Sequence, residues 1–174
     1  MYLVRILNRK FMKKLHLCGL LPLLLILTAC PAHTDQPIDT GSYKVPPWLL
    51  GEWTGDNGSL GKEHYILEQG SKKTEFKCYS VDSTGKKSLH NDHIIMSTVG
   101  GKVFVSAHDP EGGYYLFELE KQSETTFLLK EIDEDVYGES LKTDASSSEI
   151  KKFIEKNLKD GDIMGTETKY VKVK

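Results

Sequence analysis

Two histidines three positions apart, His90 and His93, come closest to metal-ligand spacing, and His64 and His108-Asp109 are available to join them in space. Zinc needs three or four convergent ligands. Nothing in the spacing carries the other histidines to His90-Asn91-Asp92-His93, so a solvated loop with ordinary hydrogen bonds is expected. Carboxylates gather at Glu131, Asp133, Glu134 and Asp135. A calcium loop of the EF-hand kind wants a glycine and a twelfth-position glutamate that this stretch lacks; acids placed after a strand more often open a helix, where they suit its dipole. Ser59 and the run Ser146 to Ser148 offer hydroxyls, but no G-x-S-x-G elbow surrounds them. Gly55, Gly58 and Gly61 precede a strand rather than a helix, which excludes a phosphate-cradling loop. Cys78, in "TEFKCYSV", has no helix start or basic cluster to lower its pKa, and reads as a buried structural thiol. No catalytic constellation emerges. The chain is expected to be no enzyme, to hold no metal and to need no cofactor.

The cysteine with a clear assignment is Cys30. It closes "LLPLLLILTAC", Leu20 to Cys30, and His16, Cys18, Gly19 and Pro22 interrupt the apolar stretch from Leu15 to Ala29. A spanning helix needs about 20 predominantly apolar residues, more than this core supplies. Arg5, Arg9, Lys10, Lys13 and Lys14 lie before the core, with no acid in the first 29 positions. A basic flank followed by a short apolar core is the pattern of an export signal; Met12-Lys13-Lys14 would itself serve as a signal start. The ending Leu27-Thr28-Ala29-Cys30 resembles the lipobox of bacterial lipoproteins. The resemblance implies diacylglyceryl transfer to the Cys30 thiol, cleavage between Ala29 and Cys30, and acylation of the new amino terminus. Two or three acyl chains, at about 0.8 kcal/mol per buried methylene, make a stable membrane anchor. Position 31 is proline and not the aspartate that resembles an inner-membrane retention signal, which favours the outer membrane of a bacterial envelope.

Removing residues 1–29 takes five of the 23 basic residues and none of the 25 acids, leaving a formal charge near −7. Both arginines go with the leader. An acidic, arginine-free body argues against nucleic acid as a partner and against bidentate phosphate clamps. With Cys18 removed and Cys30 lipidated, Cys78 stands alone, so no intramolecular disulfide is available and the core must hold the fold.

Residues 30–47 are rich in proline and turn formers and are expected to form a flexible tether; residues 48–174 suffice for one domain. Apolar stretches separated by Gly, Asn, Asp and Ser predict strands at Leu50–Gly55, Glu63–Glu68, Lys73–Val81, His93–Val99, Lys102–Ala107, Tyr114–Glu120, Thr125–Ile132 and Thr168–Val173. Gly100-Gly101 suits a primed two-residue hairpin turn. "DPEGG" and "KQSE" join later strands, and "DSTGKK" begins a longer connection. One segment differs: Ile150, Phe153, Ile154 and Leu158 form a helical stripe, with Ser146 and Glu149 as a capping box and Gly161 as the stop. This helix should pack outside the sheet. The expected fold is all-β and mainly antiparallel, an up-and-down barrel of about eight strands with one helix before the last strand.

Gly51-Glu52-Trp53, preceded by "PPWLL", resembles the Gly-x-Trp at the first strand of lipocalin-like (calycin) barrels. The meander, helix and last strand resemble that family in order, although lipocalins usually complete eight strands before their helix. The resemblance implies a basic side chain across the tryptophan; with no arginine in the body, Lys169 or Lys172 would take that place. The body is also similar to small envelope lipoproteins of uncharacterised function, through Gly51-Glu52-Trp53, Lys152-Phe153-Ile154 and Lys169-Tyr170, a group that supplies no activity to carry over. A barrel of about eight strands is either filled by side chains or holds one small ligand. Filling by the inward aromatics is the default here, and a lined apolar cavity is the alternative. Two functions follow: a non-catalytic binding module for a small apolar or amphipathic ligand, or a protein-interaction or inhibitor module acting on another envelope protein.

Overall fold

The computed structural model describes residues 32–56, 62–158 and 163–173. Cys30, its cleavage partner Ala29 and the helix stop Gly161 lie outside the described residues. The chain forms β1 (His33–Thr34), β2 (Gly51–Asp56), β3 (Lys62–Gln69), β4 (Glu75–Val81), β5 (Lys87–Val99), β6 (Lys102–His108), β7 (Tyr114–Ser123), β8 (Thr126–Ile132), α1 (Glu134–Ser140), α2 (Ser147–Asn157) and β9 (Met164–Lys172), with a 3₁₀ turn at Pro47–Leu49. Strands β2 to β9 pair antiparallel in sequence order, and β9 returns to pair with β2, for example Trp53 opposite Lys172 and Gly55 opposite Tyr170. The ring of eight is closed, as the sequence pattern predicts, and one helix directly precedes its last strand.

Two apolar layers hold the ring. Inside it lie Trp53, Leu67, Phe76, Cys78, Ile94, Met96, Val105, Leu119, Phe127 and Tyr170, supplied by alternate positions of the strands. Outside, the opposite faces of β5 to β7 present Val99, Phe104 and Leu116 to Ile150, Phe153 and Ile154 of α2 and Tyr137 of α1. The Tyr137 and Phe153 rings meet edge to face with centroids 5.3 Å apart. The stripe predicted for α2 therefore packs where expected. Its capping box is formed: the Ser146 hydroxyl accepts from the Glu149 backbone N–H, and the Ser146 N–H donates to Glu149 Oε2 at 2.9 Å. Asp133 caps α1 by accepting from the N–H groups of Asp135 and Val136, so this part of the acidic stretch does open a helix.

Three elements differ from expectation. The segment expected as a tether lies against the barrel: the Ala32 N–H donates to the Ile132 carbonyl at 2.8 Å, β1 pairs with the start of β7, and Ile38 is fully buried in the outer layer. Val45 reaches the inner core. Turn-forming composition marks a chain that bends often, and the few apolar residues among the bends are the ones that dock. Strand β5 begins at Lys87, not His93, so "DSTGKK" ends in a tight hairpin rather than starting a long connection. Its first half is mostly polar and exposed, and two register shifts opposite Cys78 break the period-two signal there; Asn91 holds this irregularity by donating to the His108 carbonyl at 2.8 Å and accepting from the His93 N–H at 3.0 Å. Strand β9 starts at Met164, four residues early, pairing Met164 with Ile132. The Gly100-Gly101 turn is as expected: φ of +58° and +82° meets the demand of a primed turn for two positive values.

The β3–β4 turn is fixed by Glu75, a buried carboxylate. Lys72 Nζ lies 2.7 Å from its Oε1, Ser71 donates to Oε2 at 2.7 Å, and His93 Nε2 is 3.4 Å away. Burial raises its pKa, but the Lys72, Ser71 and His93 hydrogen bonds outweigh burial and hold it at about 2. A carboxyl depressed in the folded state contributes stability above its ordinary value, and that contribution fades as pH falls towards the folded value. Glu75→Gln should therefore flatten the acid limb of the stability curve between pH 4.5 and about 2, as read by urea unfolding across pH; an unchanged limb would count against this role for the cluster.

Candidate functional site

The interior is not filled. A cavity of about 480 Å³ runs from Trp53 to the β6–β7 turn at Asp109 and Pro110, within the range of about 300 to 1,000 Å³ typical of small-molecule sites. The default expectation of a core filled by side chains is thus corrected. Small or polar residues, Ala107, Asn91 and Thr168, are among those that line it.

The closed end is built around Trp53. Its indole N–H donates to the Leu49 carbonyl at 2.7 Å, which ties the barrel floor to the 3₁₀ turn. Phe127 and Trp48 meet its ring edge on, at 4.7 and 6.4 Å between centroids. Lys172 stands over the ring with Nζ 5.2 Å from its centroid and donates to the Trp48 carbonyl at 2.7 Å. Of the two lysines considered for that place, Lys172 occupies it. Gly51 lies beside this side chain: its φ is +122°, and a Cβ there would sit 3.2 Å from Lys172 Cε. The position thus needs glycine for its backbone and leaves little room for a side chain.

From the floor, aromatic contacts climb one wall. Phe127 stacks on Tyr170 at 4.9 Å and 16°, and the Tyr170 hydroxyl donates to Glu63 Oε2 at 3.0 Å. Gly55 makes that stack possible, because a Cβ on it would meet the Tyr170 ring at 2.5 Å. Leu67, Phe76, Ile94, Val105, Leu119 and Leu129 complete the apolar surface. Towards the β6–β7 turn the lining becomes polar, with Glu63, Tyr65, His90, His108, Asp109 and Glu131. Burial, with the neighbouring Glu63 charge, raises the Tyr65 phenol to about 12 and pushes Tyr170 up as well. Burial also raises the Glu131 carboxyl, against a hydrogen bond from Thr166. Asp109 is lowered, chiefly by the Glu111 N–H, and its carboxylate lies 3.3 Å from His33.

The residues singled out for chemistry are brought together only in part: His90, His108 and Asp109 line one cavity. His90 lines the cavity beside the Tyr65 ring, 5.2 Å between centroids, whereas His93 meets Glu75 outside the lining and comes within 6.1 Å, centroid to centroid, of His108. His64 pairs with Glu52 at 2.6 Å. Both residues of the H-x-x-H pattern belong to a strand and not to the expected loop. Among the described residues no group of three His, Cys, Asp or Glu side chains is arranged to hold a metal ion. Ser146 is spent on its cap and Ser147 donates to the Pro37 carbonyl; Ser59 lies outside the described residues. Cys78 is buried in the cavity wall, and burial followed by the Glu63 charge raises its thiol to about 12.

Glu63, Tyr65, Glu131 and Tyr170 were not identified from sequence as site residues. Parity along the strands was the available signal: Phe127, Leu129 and Glu131 share one face of β8, so an inward phenylalanine commits Glu131 to the interior. Grouping Glu131 with the acids that follow it hid that relation.

Comparison of the chain with protein-family models, with curated proteins and with solved structures finds no match in any of the three.

A thiol held protonated inside the wall should resist alkylation. Iodoacetamide at pH 8 should leave Cys78 unmodified in the native chain and modify it fully in urea, by peptide mapping. Rapid native modification would contradict the burial described.

Proposed function

We propose that this protein is a non-catalytic binding module of the bacterial envelope, anchored through lipid on Cys30, whose barrel holds one small apolar or amphipathic ligand. The observation that carries the reading is the cavity: about 480 Å³, apolar at its closed end, polar at the other, in a wall formed by all eight strands of a closed ring. Burying a ligand's apolar surface there yields about 25 cal/mol per Å², and the polar end supplies orientation. The protein-interaction reading has less support. Leu89, Val171 and Val173 are the exposed large apolar side chains among the described residues, and single residues of this kind are ordinary on a folded surface.

Release and capture need no reacting group, which suits a site where burial raises the Cys78 thiol and keeps it protonated. The anchor reading rests on the basic flank, the short apolar core and Leu27-Thr28-Ala29-Cys30. Proline at position 31 supports outer-membrane placement in the same scheme.

Mass spectrometry on the chain purified from its own host tests both parts. Under denaturing conditions the chain should begin at Cys30 and carry the mass of a diacylglyceryl group and an acyl chain; a different first residue or an unmodified one would refute the anchor. Under non-denaturing conditions a part of the population should keep an additional small-molecule mass that solvent extraction removes. A chain that is bare in every preparation, and that takes up no apolar probe, would refute the binding module.

A further inference from the structure

The cavity's charges differ in sign from what an anionic lipid would need. Its lining includes the carboxylates Glu63, Asp109 and Glu131 and, among the described residues, no lysine, although 18 lysines follow Cys30 in the sequence. The described lysines are directed elsewhere, as in the pairs Lys130 with Glu120 and Lys102 with Glu118. Asp109 has His33 as a partner. The donors to Glu63 and Glu131 among the described residues are neutral: Tyr170 and Tyr65 for Glu63, Thr166 for Glu131. Among the described residues neither forms an ion pair.

Each of these carboxylates lies at the polar end of an otherwise apolar chamber, on β3 and β8, with β9 and β2 between them in the ring. A carboxylate in such a place gains most from a cation that brings its own apolar body, because attraction between charges strengthens as water is excluded. A ligand carboxylate would meet two like charges and find the tyrosine hydroxyls already donating to Glu63. The Tyr65 ring, at the same end of the cavity, adds a second preference of the same sign, since aromatic faces attract cations.

Building on the binding-module reading above, we propose that the ligand is a cationic amphiphile, an amine or ammonium group on an apolar body, with the cation held at the polar end by Glu63 and Glu131 and the body against Trp53 and Phe127. The opposite choice, a fatty-acid-like anion, has no cationic partner in the lining apart from His90 and His108.

The test uses three probes with one tail and different heads: octylamine, 1-octanol and octanoate. Binding is followed by the fluorescence of the chain purified from its host; of its two tryptophans, Trp53 lines the cavity and Trp48 meets its ring at 6.4 Å. Octylamine should bind about tenfold or more tightly than 1-octanol, the difference expected of a charge-assisted contact, and octanoate should bind most weakly. Glu63→Gln with Glu131→Gln should abolish the lead of octylamine over 1-octanol; the single variants, each removing one charge, should give intermediate values. Equal binding of all three probes, or octanoate binding best, would overturn the cationic assignment and leave the binding module standing. Binding of none of them would overturn the binding module itself. Should the double variant not fold, the ranking of the three probes on the unaltered chain decides the matter.

Discussion

Pairing of β9 with β2 is the constraint on which the remaining features rest. It closes the sheet, removes both edges that an open antiparallel sheet would expose, and brings Lys172 across Trp53 and Tyr170 beside Gly55. No disulfide reinforces this closure, because Cys78 is the free cysteine of the described residues. The seam is secured by side chains instead. Lys172 bridges the last strand to the Trp48 carbonyl, and Trp53 bridges the first ring strand to Leu49. Opening the seam would expose the aromatic floor and dissolve the cavity in one event, so stability and ligand capacity are coupled.

The division of labour between two cores explains how a barrel of this size keeps an empty interior. A cavity costs stability through contacts its lining does not make. Here the outer layer supplies contacts that the interior forgoes: α1, α2 and the segment containing Ala32 and Ile38 cover β5 to β7 from outside. Residues 32–46 therefore act as part of the folded body, strapped over the barrel before the chain turns at Pro47–Leu49 to seal its floor. Any lipid attached at Cys30 would hold the barrel close to the membrane surface, since little chain separates that residue from the docked Ala32.

The ring, the outer helix and several turns were legible in the sequence because each had its own local signal. Alternating apolar residues marked the strands, Ser146 and Glu149 marked the start of α2, and Gly100-Gly101 marked a turn whose φ values only glycine adopts readily. The first half of β5 was not legible, since Lys87 to Asp92 is polar apart from Leu89 and its bulges shift the parity that would have betrayed it. Docking of the N-terminal segment depends on tertiary partners such as Ser106, which accepts the Ile38 N–H at 3.1 Å, and no local pattern announces that. The cavity was the least visible feature. Local pattern shows which residues face inward but not whether their volumes fill the space, and the small residue Gly55 acquires meaning only once the register sets it opposite Tyr170.

The central claim is that the barrel interior admits an apolar molecule, and methyl NMR tests it most directly. With 1-octanol as the probe, the methyl signals of Leu67, Ile94, Val105, Leu119 and Leu129, which line the cavity, should shift together and saturate at one equivalent. Those of Ile150 and Ile154, in the outer layer, should stay in place. Shifts confined to exposed Leu89 and Val171, or a linear drift of all methyls without saturation, would contradict the account.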